Sequence, residues 1–174
     1  MVFTEFWNIM LATDSYKASH HAMLPEDLEY MESYGESRGG EFYFTVFFGM
    51  QYYLKSYLSG VQVTEEKIKE AVEFYNQHFG IDNVFNEAGW RHILTKHGGK
   101  LPLKIEAVKE GSIIPTSNML YKISSTDKKC AWLVNWVETL LMKTWYPITI
   151  ATNSIAGKEI LKLHWEKTGE DIKQ

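Results

Sequence analysis

Asp14, Tyr16 and Lys17 lie within four residues of one another in the stretch Asn8-Ile-Met-Leu-Ala-Thr-Asp-Ser-Tyr-Lys-Ala-Ser-His20, directly behind an apolar run, where they look placed for a ligand. Tyr16 offers a ring face for stacking on a flat heteroaromatic molecule and a hydroxyl for a hydrogen bond. The ordinary alternative is a core tyrosine. Asp14 could equally bond loop N–H groups as an N-cap or Asx turn. Arg38 is followed by Gly39 and Gly40, so the backbone can turn tightly while the guanidinium presents a planar fork of donors suited to phosphate oxygens. A solvated surface arginine is the plainer reading. Glu138 sits in a strongly apolar helical stretch, where a buried carboxylate needs a partner or a raised pKa unless it faces water. Metal chemistry is not expected. His92 and His97 are five apart, not at the i, i+4 spacing that sets two ligands on one helix face, and no carboxylate completes a set with them or with His20-His21. Cys130 has no evident base beside it and reads as an inert buried thiol.

The elements that must position these groups follow from periodicity and punctuation. The first forty residues are mostly irregular, although Tyr30, Glu32 and Tyr34 alternate with Met31 and Ser33 as an exposed or edge strand does. Arg38-Gly39-Gly40 breaks the chain, and Glu41 to Phe48, rich in aromatic and β-branched residues, suits a strand. Met50, Tyr53, Leu54, Tyr57 and Leu58 have helical spacing and stop at Gly60. Thr64 is an N-cap for a helix with the stripe Ile68, Ala71, Val72, Tyr75 and Phe79, ended by Gly80; Glu65 and Glu66 suit its positive end. Asn86 caps another, with Trp90, Ile93, Leu94 and His97 on one face and Gly98-Gly99 at its close. Leu103, Ile105 and Ala107 alternate with polar neighbours, and Ser112 to Ile114 and Met119 to Ile123 read as further strands of one small antiparallel sheet. From about Asp127 a third helix presents Cys130, Leu133, Val134, Val137, Leu140 and Leu141. Pro147 limits it and opens a last helix reaching about Thr168. Runs of strands and helices without βαβ alternation mean an α+β fold, and exclude a complete barrel or Rossmann domain within the chain.

Composition narrows the class. At 174 residues, one domain is the default, since a chain of ~150 residues buries roughly 68–70% of its unfolded surface. Hydrophobic residues at 45% and charged residues at 23% are ordinary for a globular protein. The aromatic share of 14% is high enough that most rings must fill a core or a subunit interface. A net charge of -4 without a dense Lys/Arg stripe argues against nucleic acid. The single cysteine forbids an internal disulfide and fits a reducing, cytoplasmic compartment. Met1 to Leu11 has no basic flank and contains Glu5, while Phe42 to Phe48 is too short to span a bilayer, so neither signal peptide nor membrane anchor is expected.

The Asn8–His20 stretch resembles the start of nicotinamide phosphoribosyltransferases. The likeness continues in order through Tyr34-Gly-Glu-Ser-Arg38, Val46-Phe-Phe-Gly49, Val84-Phe-Asn-Glu87, Leu101-Pro-Leu103, and Trp132 to Ser154 with its Trp-Tyr-Pro-Ile-Thr-Ile-Ala-Thr-Asn-Ser ending. The resemblance implies the N-terminal α+β domain of a type II phosphoribosyltransferase over residues 1–146, with 147–174 a lead-in helix toward a barrel domain that this chain lacks. It implies that Tyr16 and Asp14 serve the nicotinamide pocket across a dimer interface. It places Arg38 on the phosphates of phosphoribosyl pyrophosphate or of the mononucleotide product, and Glu138 on a solvent tunnel to the nicotinamide site. The loop after Arg38, Gly39-Gly40-Glu41-Phe42-Tyr43-Phe44, is shorter than the family's lysine-containing loop.

By the same resemblance the nicotinamide-stacking, amide-reading, phosphorylated-histidine and main pyrophosphate-binding residues lie beyond Gln174. No catalytic residue is then expected in this chain and no cofactor is bound by it alone; ATP and Mg2+ are implied for the full-length family. The leading expectation is the N-terminal part of an enzyme of NAD salvage, joining nicotinamide to phosphoribosyl pyrophosphate as a homodimer or with a separate barrel half. Its rivals are a stand-alone, non-catalytic module that binds or regulates a full-length enzyme or a separate barrel half, and a fragment of a nicotinate phosphoribosyltransferase.

Overall fold

Local capping signals set the two amphipathic helices of the first half. In the computed structural model, which describes residues 7–169, a four-residue helix, α1, spans Met50–Tyr53. Thr64 Oγ1 accepts from the Lys67 amide at 3.3 Å and opens α2, Glu65–Phe79. Asn86 Oδ1 accepts from the Gly89 amide at 3.0 Å and opens α3, Glu87–His97. Both end where a glycine takes up a left-handed conformation, Gly80 at φ 67° and Gly98 at φ 58°. Ile68, Ala71 and Tyr75 of α2, and Trp90 and Ile93 of α3, are buried as their spacing demands.

The strands are all antiparallel, but they form two sheets rather than one. β1 (Glu32–Glu36), β3 (Leu103–Ala107) and β5 (Met119–Ser125) pair in the order β1-β5-β3, while β2 (Phe44–Val46) pairs only with β4 (Ile113–Pro115). Ser117, at φ 61°, turns the chain between β4 and β5 and thus from one sheet to the other. β1 is an edge strand, with Glu32 and Tyr34 exposed. β2 is much shorter than Glu41–Phe48, because Gly39 and Gly40 both have positive φ and hold the chain in a loop as far as Tyr43.

Three other elements differ from the sequence reading. Ser15–Met23 is a nine-residue 3-10 helix in a region expected to be irregular; its first turn closes with the Lys17 amide on the Asp14 carbonyl at 2.9 Å. The helix that begins at Met50 widens into a π turn over Leu54–Leu58, where the Ser59 amide donates to the Leu54 carbonyl. After a 3-10 turn at Lys128–Cys130, α4 spans Leu133–Met142 and α5 spans Trp145–Thr168. Pro147 is therefore the third residue of α5, not the first, which costs nothing because first-turn amides have no helical acceptor.

Leu133, Val134, Val137, Leu140 and Leu141 are buried as expected, joined by Trp136. Trp136 meets Trp90 and Phe85 at ring separations of 5.4 and 5.9 Å, the centre of an aromatic core that Tyr75 and Trp132 complete. α5 packs its first half on β2, where the Val46 amide donates to Thr152 Oγ1 at 3.0 Å. Beyond Gly157 its residues are exposed. No helix among the described residues is long and apolar enough to cross a membrane. Residues 1–6, part of the stretch read for a signal peptide, and 170–174, the end of the 147–174 segment, lie outside the described residues.

Candidate functional site

The 3-10 helix Ser15–Met23 lies against α4, and this contact builds the first group. Lys17 is 4% exposed. A charge buried that deeply needs compensation, and α4 supplies it: Lys17 Nζ donates to Glu138 Oε2 at 2.8 Å and to Thr139 Oγ1 at 3.1 Å. The Thr139 hydroxyl in turn donates to Asp14 Oδ2 at 2.6 Å, and that oxygen lies 3.5 Å from Lys17 Nζ. Asp14 thus stands at the N-cap position without capping, since its carboxylate is turned onto Thr139 and Lys17 instead of the loop amides. The Thr139 hydrogen bond first, then the Lys17 charge, hold its carboxyl below the ordinary value. Glu138 combines two of the options the sequence left open: its side chain is half exposed and is paired with a buried lysine.

Tyr16 is not a core residue. It is 60% exposed, and its ring lies 5.2 Å from that of His20 with both faces inclined to each other at 50°. It therefore stands on the solvent side of the 3-10 helix whose next residue, Lys17, is buried.

Arg38 is exposed and lines a separate cleft of about 480 Å³ between the Gly35–Phe42 segment, Tyr121 of β5 and the first turns of α5, including Thr149 and Asn153. Asp14, Tyr16 and Glu138 do not line it. Gly35 lets β1 approach Tyr121, because a Cβ there would fall 2.3 Å from the tyrosine ring. Tyr121 lines the cleft, and burial first, then the Glu138 charge, raise its hydroxyl above its ordinary pKa. Sequence reasoning did not single out Thr139 or Tyr121. The signal for Thr139 is the adjacent polar pair Glu138-Thr139 inside a helix otherwise apolar except for Asn135.

The reading that no carboxylate completes a set with His92 and His97 is corrected. Both rings reach Asp127 Oδ2, His92 Nε2 at 2.9 Å and His97 Nε2 at 2.6 Å, although the aspartate is thirty residues beyond His97. A spacing test along one helix misses a ligand that arrives from a distant loop. These two hydrogen bonds, His92 first, hold the Asp127 carboxyl well below the usual carboxylate range. Cys130 is fully buried as expected, and burial, with the Asp127 charge behind it, pushes its thiol up to about 12.

Comparison with known proteins places the chain in a family. Residues 8–105 match the family described as "Nicotinamide phosphoribosyltransferase, N-terminal domain". A protein of Xanthomonas campestris pv. campestris named nicotinamide phosphoribosyltransferase is 43% identical over 164 residues, 94% of this chain and 34% of that protein. One of the same name from Acinetobacter baylyi is 28% identical over 180 aligned positions, 95% of this chain and 35% of that protein. The chain thus spans about a third of the length of the curated relatives it matches. A matched segment that runs from Asn8 through the 3-10 helix, Arg38 and both capped helices to Ile105 is more than half of the sequence, so the chain belongs to the nicotinamide phosphoribosyltransferase family and corresponds to its N-terminal part.

Proposed function

We propose that the chain serves as the N-terminal part of a type II phosphoribosyltransferase of NAD salvage, a cytoplasmic pentosyltransferase that joins nicotinamide to phosphoribosyl pyrophosphate and releases pyrophosphate. Residues 1–146 form its α+β domain and 147–174 lead toward a barrel domain in a longer protein. The observation that carries this reading is the family match through the stretch where an exposed Tyr16 ring stands beside the Asp14–Lys17–Glu138 group.

Displacement at an anomeric carbon passes through an oxocarbenium-like state, and catalysis rests on positioning and on stabilising the leaving pyrophosphate. Tyr16 supplies a stacking face for the pyridine ring in the partner subunit's site, with Asp14 beside it. Buried Lys17 fixes the backbone from which both project. Arg38, exposed at its cleft, offers donors to phosphate oxygens, and Glu138 borders the approach to the nicotinamide site. ATP and Mg2+ belong to residues outside this chain.

The test uses the full-length homodimer. Tyr16→Ala should weaken nicotinamide use by roughly 1–3 kcal/mol with donor binding little changed. Arg38→Ala should show the reverse selectivity, losing about 1.5–3 kcal/mol of donor affinity. A mixture of Tyr16→Ala subunits with barrel-inactivated subunits should recover activity, because the mixed dimer pairs one intact Tyr16 with one intact barrel. A mixture as inactive as its parents overturns the shared site. Full activity in both single variants favours a non-catalytic module, and preference for nicotinate favours the other base.

A further inference from the structure

Away from the Lys17 group and the Arg38 cleft, four side chains of metal-ligating type converge on one point. His92 Nε2, His97 Nε2, an Asp127 carboxylate oxygen and Cys130 Sγ all lie within 4.8 Å of one another. They come from two places in the chain, the last turns of α3 and the 3-10 turn that leads into α4. The pattern is His-x4-His followed by Asp-x2-Cys, and these intervals fall within those of structural zinc sites.

We propose that His92, His97, Asp127 and Cys130 form a structural zinc site that clamps the C-terminal end of α3 to the start of α4. A tetrahedral zinc with bonds of about 2.0–2.3 Å places its ligand atoms roughly 3.3–3.7 Å apart. The two His–Asp contacts, at 2.9 and 2.6 Å, must open by roughly 0.4–1.1 Å, and the widest separation, within 4.8 Å, must close by roughly 1.1–1.5 Å at most. The imidazole planes are inclined at 74°, so the rings arrive from different directions as two ligands of one tetrahedron do. Asp127 is already oriented: its Oδ1 accepts the Lys129 amide at 2.8 Å, which leaves Oδ2 toward the histidines. This is the kind of outer hydrogen bond that steadies metal ligands.

A hydrogen-bonded clasp would need only the two imidazoles and the carboxylate. The thiol at the same point is the fourth ligand, and the set of two nitrogens, one oxygen and one sulfur suits zinc rather than magnesium or calcium. Entry is open, because His92 borders a groove that Glu26 and Glu29 also line, with Lys128 and Lys129 on its edge. On binding, the Zn–S bond replaces S–H and that proton goes to solvent. Each imidazole binds through the Nε2 lone pair with its remaining proton on Nδ1, and any proton displaced from Nε2 passes to Nδ1 or to solvent.

The test is titration of the reduced 174-residue chain with Co2+ as the spectroscopic probe, then competition by Zn2+. One equivalent should give a thiolate-to-cobalt charge-transfer band and the intense visible bands of tetrahedral cobalt, both abolished by stoichiometric Zn2+. Cys130→Ser should lose the charge-transfer band. His97→Gln keeps a donor for Asp127 at a position 28% exposed, so it should fold, and it should bind Co2+ roughly tenfold or more weakly. Thermal melts should show Zn2+ raising the midpoint of the parent chain and not of His97→Gln. Absence of the charge-transfer band, or equal cobalt affinity in the parent and His97→Gln, overturns the proposal. If Cys130→Ser fails to fold by circular dichroism, the His97→Gln comparison decides alone.

Discussion

Lys17 and Glu138 form one ion pair with unequal surroundings, so substituting either partner should have unequal cost. Lys17→Met removes the ammonium together with its burial penalty, and the carboxylates it leaves are about half exposed and can turn to water. Glu138→Gln instead leaves the buried ammonium with Thr139 and the more distant Asp14. Urea unfolding should show a loss of about 1 kcal/mol for the first and about 2–3 kcal/mol for the second. Equal losses would mean that the pair is not what holds the lysine. Asp14 gives a matching pH dependence. Its folded-state pKa is lowered, so the contribution is complete above the unfolded value near pH 4 and is lost as pH falls through the lower folded value. The stability difference between the parent and Asp14→Asn should be present at pH 6 and shrink as the pH falls below about 4.

At the scale of elements, α4 is held through its tryptophan as well as its leucines. Trp136 Nε1 donates to the Ile9 carbonyl at 3.1 Å, whereas Trp90 Nε1 is buried without a hydrogen-bond partner. Both rings are almost fully buried, so replacement by phenylalanine removes similar volume from each. Trp136→Phe also removes a buried hydrogen bond to the Ile9 carbonyl, which keeps only the Ala12 amide at 3.2 Å, and should cost about 1 kcal/mol more than Trp90→Phe by thermal or urea melts. A larger loss for Trp90→Phe would show that packing alone sets the order. The helices capped by Thr64 and Asn86 were legible in the sequence because cap, stripe and terminal glycine all lie within one element. The 3-10 helix at Ser15–Met23 was not, since its i to i+3 bonding leaves no 3.6-residue stripe. Neither was the division into two sheets, which depends on which distant strands meet. Tyr16 and Asp14 could be named from local residue types, but their relation to Thr139 and Glu138 depends on how α4 is rotated. Asp127 escaped for the same reason, as its partners are on α3.

For the whole molecule, Ile160, Leu161 and Leu163 stand exposed on the second half of α5, in a chain that spans about a third of its relatives' length. Apolar surface of this kind marks interfaces or aggregation sites, so light scattering at high concentration should detect self-association. Ile160→Glu with Leu163→Glu should reduce it, and a strictly monomeric parent would count against the role of α5. The other long-range tie runs through the start of the chain. Asn8 Nδ2 donates to the Lys67 carbonyl of α2, the Tyr75 hydroxyl to the Met10 carbonyl, Trp136 to Ile9, and Thr13 Oγ1 to the Trp136 carbonyl. The segment from Asn8 to Lys17 is therefore sewn to two helices at once. It cannot peel away without breaking bonds to both, so its amides belong to the same cooperative opening as α4. Hydrogen exchange at Leu11, Ala12 and Lys17 should be as slow as in α4, and the ledge that carries Tyr16 should behave as a rigid mount rather than a closing flap.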